Sequence, residues 1–147
     1  MVAIRVVCSV LITVSVTALL GCGNGTNLPG ETGRVKGRVI YGSGTIPAGS
    51  TVVMLHQGSG IPAIGLTDTS GNFTLEMRNG PEVLVGDYIV SITPPGEIDD
   101  DIVKITAETV PEAWNKVPQK YWYAKTSGET FSVAPGDNFY EFTLASP

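Results

Sequence analysis

Short segments in which apolar and polar residues alternate recur along the chain from Gly33 to its C-terminal end. In the first of them a valine-rich face alternates with a face that carries Arg34, Lys36 and Arg38. This period of two is typical of a half-buried β-strand, so we expect the three cations to be solvated. Eighteen glycines and ten prolines add frequent turns, which favours strands over helices.

Seven short strands follow from this pattern, one of them beginning at Ala63. The positions expected to point into a core are Val35, Val39 and Tyr41, Val52 and Met54, Phe73, Leu75 and Met77, Tyr88, Val90 and Ile92, Phe131 and Val133, and Tyr140, Phe142 and Leu144. Between the third and fourth strands, Asp68 is expected to accept turn N–H groups and Gly71 to adopt a positive φ, which predicts a hairpin. The turn at residues 135–138 predicts a final hairpin.

This organisation predicts an all-β fold, a seven-stranded antiparallel Greek-key β-sandwich in residues 33–147. One long loop is expected between the fifth and sixth strands, roughly from Pro94 to Gly128, because no strand alternation is present there. Two prolines and the aspartates at 99–101 argue against order in the first half of this loop. A short helix around Ala113 has no support from the pattern.

The N-terminal segment resembles an export signal. One positive charge at Arg5 precedes an uncharged apolar run from Val6 to Leu20. The run is shorter than the roughly 20 residues that a membrane-spanning helix needs. We therefore interpret residues 1–21 as a signal peptide, with an uncleaved N-terminal anchor as the alternative.

The end of this segment, Leu19-Leu20-Gly21-Cys22, resembles the lipobox of bacterial lipoproteins. The resemblance implies that a lipoprotein signal peptidase recognises the three residues before the cysteine and that Cys22 carries a lipid through a thioether. Residues 22–32 would then be a lipidated flexible tether, rich in glycine. An ordinary signal peptide with a chance cysteine is the alternative. The expected location is a cell envelope, on the periplasmic or outer-surface side of a membrane.

The order and spacing of several motifs resemble the carboxypeptidase regulatory-like domain of the transthyretin-like β-sandwich group. These motifs are Val35-x-Gly37-x-Val39, Thr67-Asp68-x-x-Gly71-x-Phe73-x-Leu75, Gly86-x-Tyr88-x-Val90-x-Ile92, Val117-Pro118-x-Lys120-Tyr121, Thr126-Ser127-Gly128, and Pro135-Gly136-x-Asn138 before Phe142-x-Leu144. The resemblance implies a transthyretin-like sandwich in an extracytoplasmic setting. It does not imply one activity.

Several function classes are disfavoured by the composition. A net charge of −5 without a cluster of Lys or Arg argues against nucleic-acid binding. The single histidine, His56, cannot supply the ligands of a zinc peptidase, and the aspartates at 99–101 lack the spacing of a calcium loop. We expect neither a metal nor a cofactor.

A small hydrolase of the transthyretin-like kind is the enzymatic alternative. The resemblance to hydroxyisourate hydrolase would require two histidines, an arginine and a C-terminal Tyr-Arg-Gly-Ser, whereas this chain ends in Phe-Thr-Leu-Ala-Ser-Pro. A pocket that places His56 against Arg78 or Lys104 would favour this alternative. Without such a pocket, we expect a non-catalytic protein.

Aromatic residues concentrate at Trp114 and at Tyr121, Trp122 and Tyr123. In a sandwich such residues either cover an open end of the core, which is the commoner role, or offer stacking surfaces to a ligand such as a sugar ring. These four are the candidate ligand contacts. The predicted function is a lipid-anchored envelope protein that acts as a binding or structural module, with an envelope protein or polysaccharide as its partner.

Overall fold

The computed structural model describes residues 28–42, 46–99, 102–104 and 110–145. These residues form ten strands, two 3₁₀-helices and one single-turn α-helix. The strands are β1 Thr32–Tyr41, β2 Thr51–His56, β3 Pro62–Leu66, β4 Asn72–Thr74, β5 Val83–Leu84, β6 Gly86–Thr93, β7 Glu97–Asp99, β8 Ile102–Lys104, β9 Glu129–Val133 and β10 Gly136–Leu144. The 3₁₀-helices are Glu112–Lys116 and Gln119–Trp122, and α1 is Ala124–Ser127.

Two four-stranded sheets make up most of this structure. The first, here called the β1 sheet, has the order β10-β1-β4, and β5 pairs with β1 as well. The second, the β2 sheet, has the order β3-β2-β6-β9, while β7 and β8 pair only with each other. Buried apolar side chains of both sheets form one core, so the arrangement is a β-sandwich-like fold.

The predicted faces of the strands are confirmed. Along β1 the burial alternates, with Val35 and Val39 inaccessible and Arg34, Lys36 and Arg38 exposed. The other predicted inward positions are buried, except Tyr41, Phe131 and Tyr140, which are partly buried and pack against the core. The alternation therefore predicted which side chains lie inside.

The pairing of the strands differs from the prediction. β10 runs parallel to β1, with Gly33 opposite Gly136 and Tyr41 opposite Leu144, so a wholly antiparallel sandwich was wrong for this pair. β9 pairs with β6, so the turn at residues 135–138 crosses between the sheets and closes no hairpin. A turn redirects the chain whichever sheet the next strand joins, and a period of two carries no information about the partner.

The predicted hairpin around Asp68 also crosses between the sheets. β3 belongs to the β2 sheet and β4 to the β1 sheet, and the two segments are joined by an isolated antiparallel bridge between Ile64 and Glu76. The local turn is nevertheless as predicted. Asp68 Oδ1 accepts hydrogen bonds from the backbone N–H groups of Ser70 at 2.7 Å and Asn72 at 2.9 Å, and Gly71 has a φ of 78°.

The long connection from β6 to β9 holds more structure than a loop. Its first half contains the β7-β8 pair, although residues 100–101 and 105–109 lie outside the described residues. Its second half contains both 3₁₀-helices and α1. Strands of three residues are too short to show alternation, so sequence patterning missed them.

Residues 1–27, with the predicted signal peptide, Cys22 and most of the predicted tether, lie outside the described residues. Within the part that the structure describes, no helix has the length and apolar character needed to cross a bilayer.

Candidate functional site

Residues 111–128, here called the aromatic cap, close one end of the sandwich. Trp114 Nε1 donates a hydrogen bond of 3.2 Å to Ser50 Oγ, just before β2 begins. Tyr121 Oη accepts a hydrogen bond of 3.0 Å from the backbone N–H of Ala145, just after β10 ends. The polar atoms of both rings are therefore used to fix the cap to strand ends of the two sheets.

The rings of the aromatic cap pack into the core. Trp114 is fully buried and Tyr121 is only 2% exposed. Trp114 meets Trp122 edge to face with ring centroids 5.8 Å apart, and Tyr121 meets Phe142 in the same way at 5.8 Å. Trp114 and Tyr121 consequently offer no ring surface to a ligand in this conformation.

The other two predicted contacts reach solvent. Trp122 is partly buried, and its Nε1 atom lies inside the protein without a hydrogen-bond partner among the described residues, so only part of the ring edge is accessible. Tyr123 is 61% exposed. A ligand contact therefore stays a prediction for Trp122 and Tyr123, whereas the predicted lipobox residues lie outside the described residues.

His56 is held in a structural network. Its Nδ1 accepts a hydrogen bond of 3.0 Å from the backbone N–H of Ser59, so the proton of the neutral ring lies on Nε2, which donates to the Val85 carbonyl at 3.3 Å. The ring also packs edge to face on Tyr88 with centroids 5.0 Å apart. Both nitrogens are thus engaged with neighbouring loops. Among the described residues, no three His, Cys, Asp or Glu side chains are grouped to hold a metal ion.

A different surface presents exposed charged groups, namely the outer face of the β1 sheet. Arg34, Lys36 and Arg38, here called the basic row, all point outward from β1 and are exposed. The Arg34 carbonyl accepts a hydrogen bond of 3.3 Å from Asn138 Nδ2, and the charge of Arg38 acts on Asp68. Three cations thus lie in a line on a chain whose net charge is −5.

An exposed aromatic ring lies beside the middle of the basic row. Phe139 on β10 is in direct register with Lys36 and is 65% exposed. On the other side of Lys36, Thr74 of β4 is its register partner. The middle of this face therefore presents a ring, an ammonium group and a hydroxyl group side by side.

Three open depressions follow one another along this face. The first, of about 280 Å³, shares Arg34 and Asp137 with the second, of about 300 Å³. The second shares Lys36 and Phe139 with the third, of about 510 Å³, which extends to Asp68. We call this series the β1 groove. Its length along β1 suits a ligand that is extended.

Carboxylates alternate with the cations along the β1 groove. Asp137 is in register with Arg34, and Glu141 is in register with Arg38. Asp68 lies near Arg38, and its pKa is held below its ordinary value mainly by hydrogen bonds from the side chain and backbone of Asn72, with a smaller contribution from the Arg38 charge. The groove therefore carries charges of both signs.

Sequence reasoning missed this site because it treated the basic face of β1 as simply solvated. One signal in the sequence could have indicated this site. Tyr140, Phe142 and Leu144 take the inward positions of the last strand, so Phe139 is an aromatic residue at an outward position, where polar residues are expected. Only its register with Lys36 shows that it borders the basic row.

No family model matches the chain. No curated protein matches it either. One solved structure that the chain matches is a DUF3823 family protein from Parabacteroides merdae ATCC 43184, with 10% identity and a TM-score of 0.44 over 80% of this chain and 47% of that one. This chain thus spans about half of its length.

A second solved structure is the dioxygenase domain of a dioxygenase carbohydrate-binding protein fusion from Streptomyces sp. SirexAA-E. It has 16% identity and a TM-score of 0.43, over 84% of this chain and 85% of that one. Such remote likenesses assign neither a family nor an activity to this chain.

Proposed function

We propose that this protein is a non-catalytic binding module of a bacterial cell envelope, held at a membrane by a lipid on Cys22. Its partner, an envelope polysaccharide or protein, binds in the β1 groove. The observation that carries the proposal is the exposed basic row beside Phe139, an aromatic side chain that is 65% exposed. Exposed cations and an exposed ring contribute little to the stability of the fold. A ligand can therefore contact them without displacing interactions within the protein.

Within this proposal the fold is a seven-stranded Greek-key, transthyretin-like sandwich of the carboxypeptidase regulatory-like kind. All seven predicted strands are present, which supports the assignment: β1, β4 and β10 lie in one sheet and β2, β3, β6 and β9 in the other. The ordered series of short motifs in the sequence supports it independently.

The non-catalytic reading is supported by the surroundings of His56. General-base catalysis needs a ring nitrogen that faces a substrate. Both nitrogens of His56 are occupied, by Ser59 and by the Val85 carbonyl. The hydrolase alternative therefore gains no support from the one histidine that it would have to use.

The proposed anchor rests on the Leu19-Leu20-Gly21-Cys22 motif and on the shortness of the apolar run before it. It is tested by growing cells that express the full chain or its Cys22→Ala variant with radiolabelled palmitate. We expect label and membrane retention for the parent and neither for the variant once it has been processed. A processed variant that stays in the membrane fraction would contradict the anchor.

The proposed groove is tested by photocrosslinking in cells, which does not depend on the anchor. A photoreactive phenylalanine analogue replaces Phe139 in one variant and Tyr123 in the control, because these two rings are almost equally exposed at 65% and 61%. We expect adducts with an envelope component from position 139 and few from position 123. Equal yields at the two positions, or none at 139, would remove the support for the β1 groove.

A further inference from the structure

We infer that the ligand of the β1 groove is a linear acidic polysaccharide, with one sugar ring stacked on Phe139 and an acidic group of the chain paired with Lys36. This inference rests on the proposed function and names the class of partner that the groove accepts.

The aromatic side chain is placed as a platform for a single ring. Phe139 projects from a sheet face, and its register partner Lys36 is followed across the sheet by Thr74. A sugar ring has an apolar face of C–H groups and a rim of hydroxyl groups. It can therefore stack on Phe139 while its rim reaches the ammonium and hydroxyl groups beside the ring.

The charges require a partner with repeated acidic groups. Alternate residues of a strand are spaced about 6.6 Å apart, so the basic row spans about 13 Å. One exposed ion pair contributes only about 0–1 kcal/mol, which would not hold a small acid. A polymer engages the cations together, because once one acidic group is bound the next is held close to its own cation.

The carboxylates in the groove distinguish a polysaccharide from an anionic lipid surface. A flat membrane would meet Asp137 and Glu141 together with the cations to which they are register partners, Arg34 and Arg38. These carboxylates would be repelled by the headgroups. An acidic polysaccharide can set one acidic group against Lys36 and turn hydroxyl groups, which donate hydrogen bonds, toward the carboxylates, whereas a flat membrane presents the same headgroups along the whole groove.

A protein partner fits this face less well. Stable protein interfaces bury an apolar centre surrounded by a polar rim. Among the described residues the large apolar side chains that are strongly exposed are Leu66, Tyr123 and Phe139. Two of them, Leu66 and Phe139, line the third depression of the β1 groove, where they form no continuous apolar centre because Lys36, Asp68, Asn72 and Thr74 line it as well. That composition suits a hydroxylated ligand.

The test uses the purified full chain in detergent and two oligosaccharides of equal length, oligomannuronate and the neutral malto-oligosaccharide. Binding is measured by calorimetry in low and high salt. We expect the acidic oligosaccharide to bind, with an affinity that falls as salt rises, and the neutral one to bind at least tenfold more weakly. Vesicles with and without phosphatidylglycerol form a third arm, in which we expect no preference for the anionic lipid.

Matched variants locate the site. Phe139→Ala and Lys36→Gln are each expected to weaken oligomannuronate binding by about tenfold. Lys125→Gln, which changes an exposed lysine outside the groove, should leave it unchanged. Tyr123→Ala tests the equally exposed ring of the aromatic cap, and a loss of binding in that variant equal to that of Phe139→Ala would place the ligand at the cap and overturn the β1 groove. Phe139→Trp should retain binding, which separates stacking from misfolding, and near-ultraviolet circular dichroism verifies the fold of each variant.

The outcomes separate this inference from the proposed function. Equal binding of both oligosaccharides, or a preference for phosphatidylglycerol vesicles over oligomannuronate, would overturn the acidic polysaccharide. Photoadducts at position 139 that contain only protein would also overturn the acidic polysaccharide as the ligand. The proposal that the β1 groove is a binding site would then still stand. An absence of adducts at position 139 would contradict the proposed function itself.

Discussion

The aromatic cap and the β1 groove have similar side chains and opposite surroundings. Each has a ring that is more than half exposed, Tyr123 in the cap and Phe139 in the groove, and each has cationic side chains nearby. In the cap the other rings pack inward, and the polar atoms of Trp114 and Tyr121 bond to strand ends. In the groove the cations are exposed on the outer face of β1.

This difference shows that aromatic density along the chain is a poor guide to a binding surface. A buried ring stabilises the core by removing apolar area from water, and its polar atom needs a partner inside the protein. A ring at an outward strand position has neither its apolar area removed from water nor a partner inside the protein. The surroundings of a ring therefore indicate its role better than the number of aromatic neighbours in the sequence.

The largest expected effect is in the aromatic cap. Trp114→Ala should lower the free energy of unfolding by about 3–5 kcal/mol, because the indole is fully buried and its loss leaves a cavity. Urea denaturation followed by circular dichroism measures the change. Trp122→Ala is the comparison and should cost less, since Trp122 is only partly buried. A loss below 1 kcal/mol for Trp114→Ala would mean that the cap does not close the core.

The next effect concerns the β1 sheet beneath the groove. A Cβ atom on Gly37 would collide with the ring of Phe73 and with the backbone carbonyl of Tyr140. Gly37→Ala should therefore destabilise the protein by about 1–3 kcal/mol or more. Adding Phe73→Leu should relieve the clash with the ring and not the one with the carbonyl, so recovery should be partial. Full recovery in a denaturation experiment would contradict the parallel register of β1 and β10.

High pH should weaken the core of the protein through two tyrosines. Burial raises the pKa of Tyr88 and of Tyr140 to about 12, and the charge of Glu129 adds to the effect at Tyr140. A raised pKa means that the folded state binds the phenolic proton more tightly than the unfolded state does, where the pKa is near 10.0. The stabilisation is complete below pH 10 and is lost as the pH rises from about 10 to about 12.

Denaturant midpoints measured across that range test the effect, with Tyr88→Phe as the control. Tyr88 Oη donates a hydrogen bond of 2.7 Å to the Leu84 carbonyl, so the variant should be less stable at neutral pH and yet less sensitive to alkali. An unchanged pH dependence in the variant would exclude Tyr88 as a titrating group.

The smallest expected effect compares the two exposed rings directly. Phe139→Ala and Tyr123→Ala should each change the free energy of unfolding by no more than about 0.5 kcal/mol, because both side chains already lie mostly in water. Thermal melts of the two variants measure this. A loss above 1 kcal/mol for Phe139→Ala would show that the ring supports the fold and would weaken its assignment to a ligand.

The sequence by itself determined the local features of this protein. Alternation assigned Val35 and Val39 to the core and the basic row to the outside, since successive side chains of a strand point to opposite faces. The turn at Asp68 was predictable for a similar reason. A short carboxylate beside a glycine makes its hydrogen bonds within a few residues of itself, whatever the rest of the chain does.

Only the tertiary structure decided which strands are neighbours and which aromatic rings are covered. β1 and β10 are about a hundred residues apart along the chain, and their parallel register brings Phe139 beside Lys36. No local sequence pattern encodes this pairing of Phe139 with Lys36, because it depends on how both sheets bury their apolar faces together. The same packing covers Trp114 and leaves Tyr123 in water, although both belong to one aromatic-rich segment. Side-chain type and spacing are local properties, whereas burial is set by every element that packs against a residue.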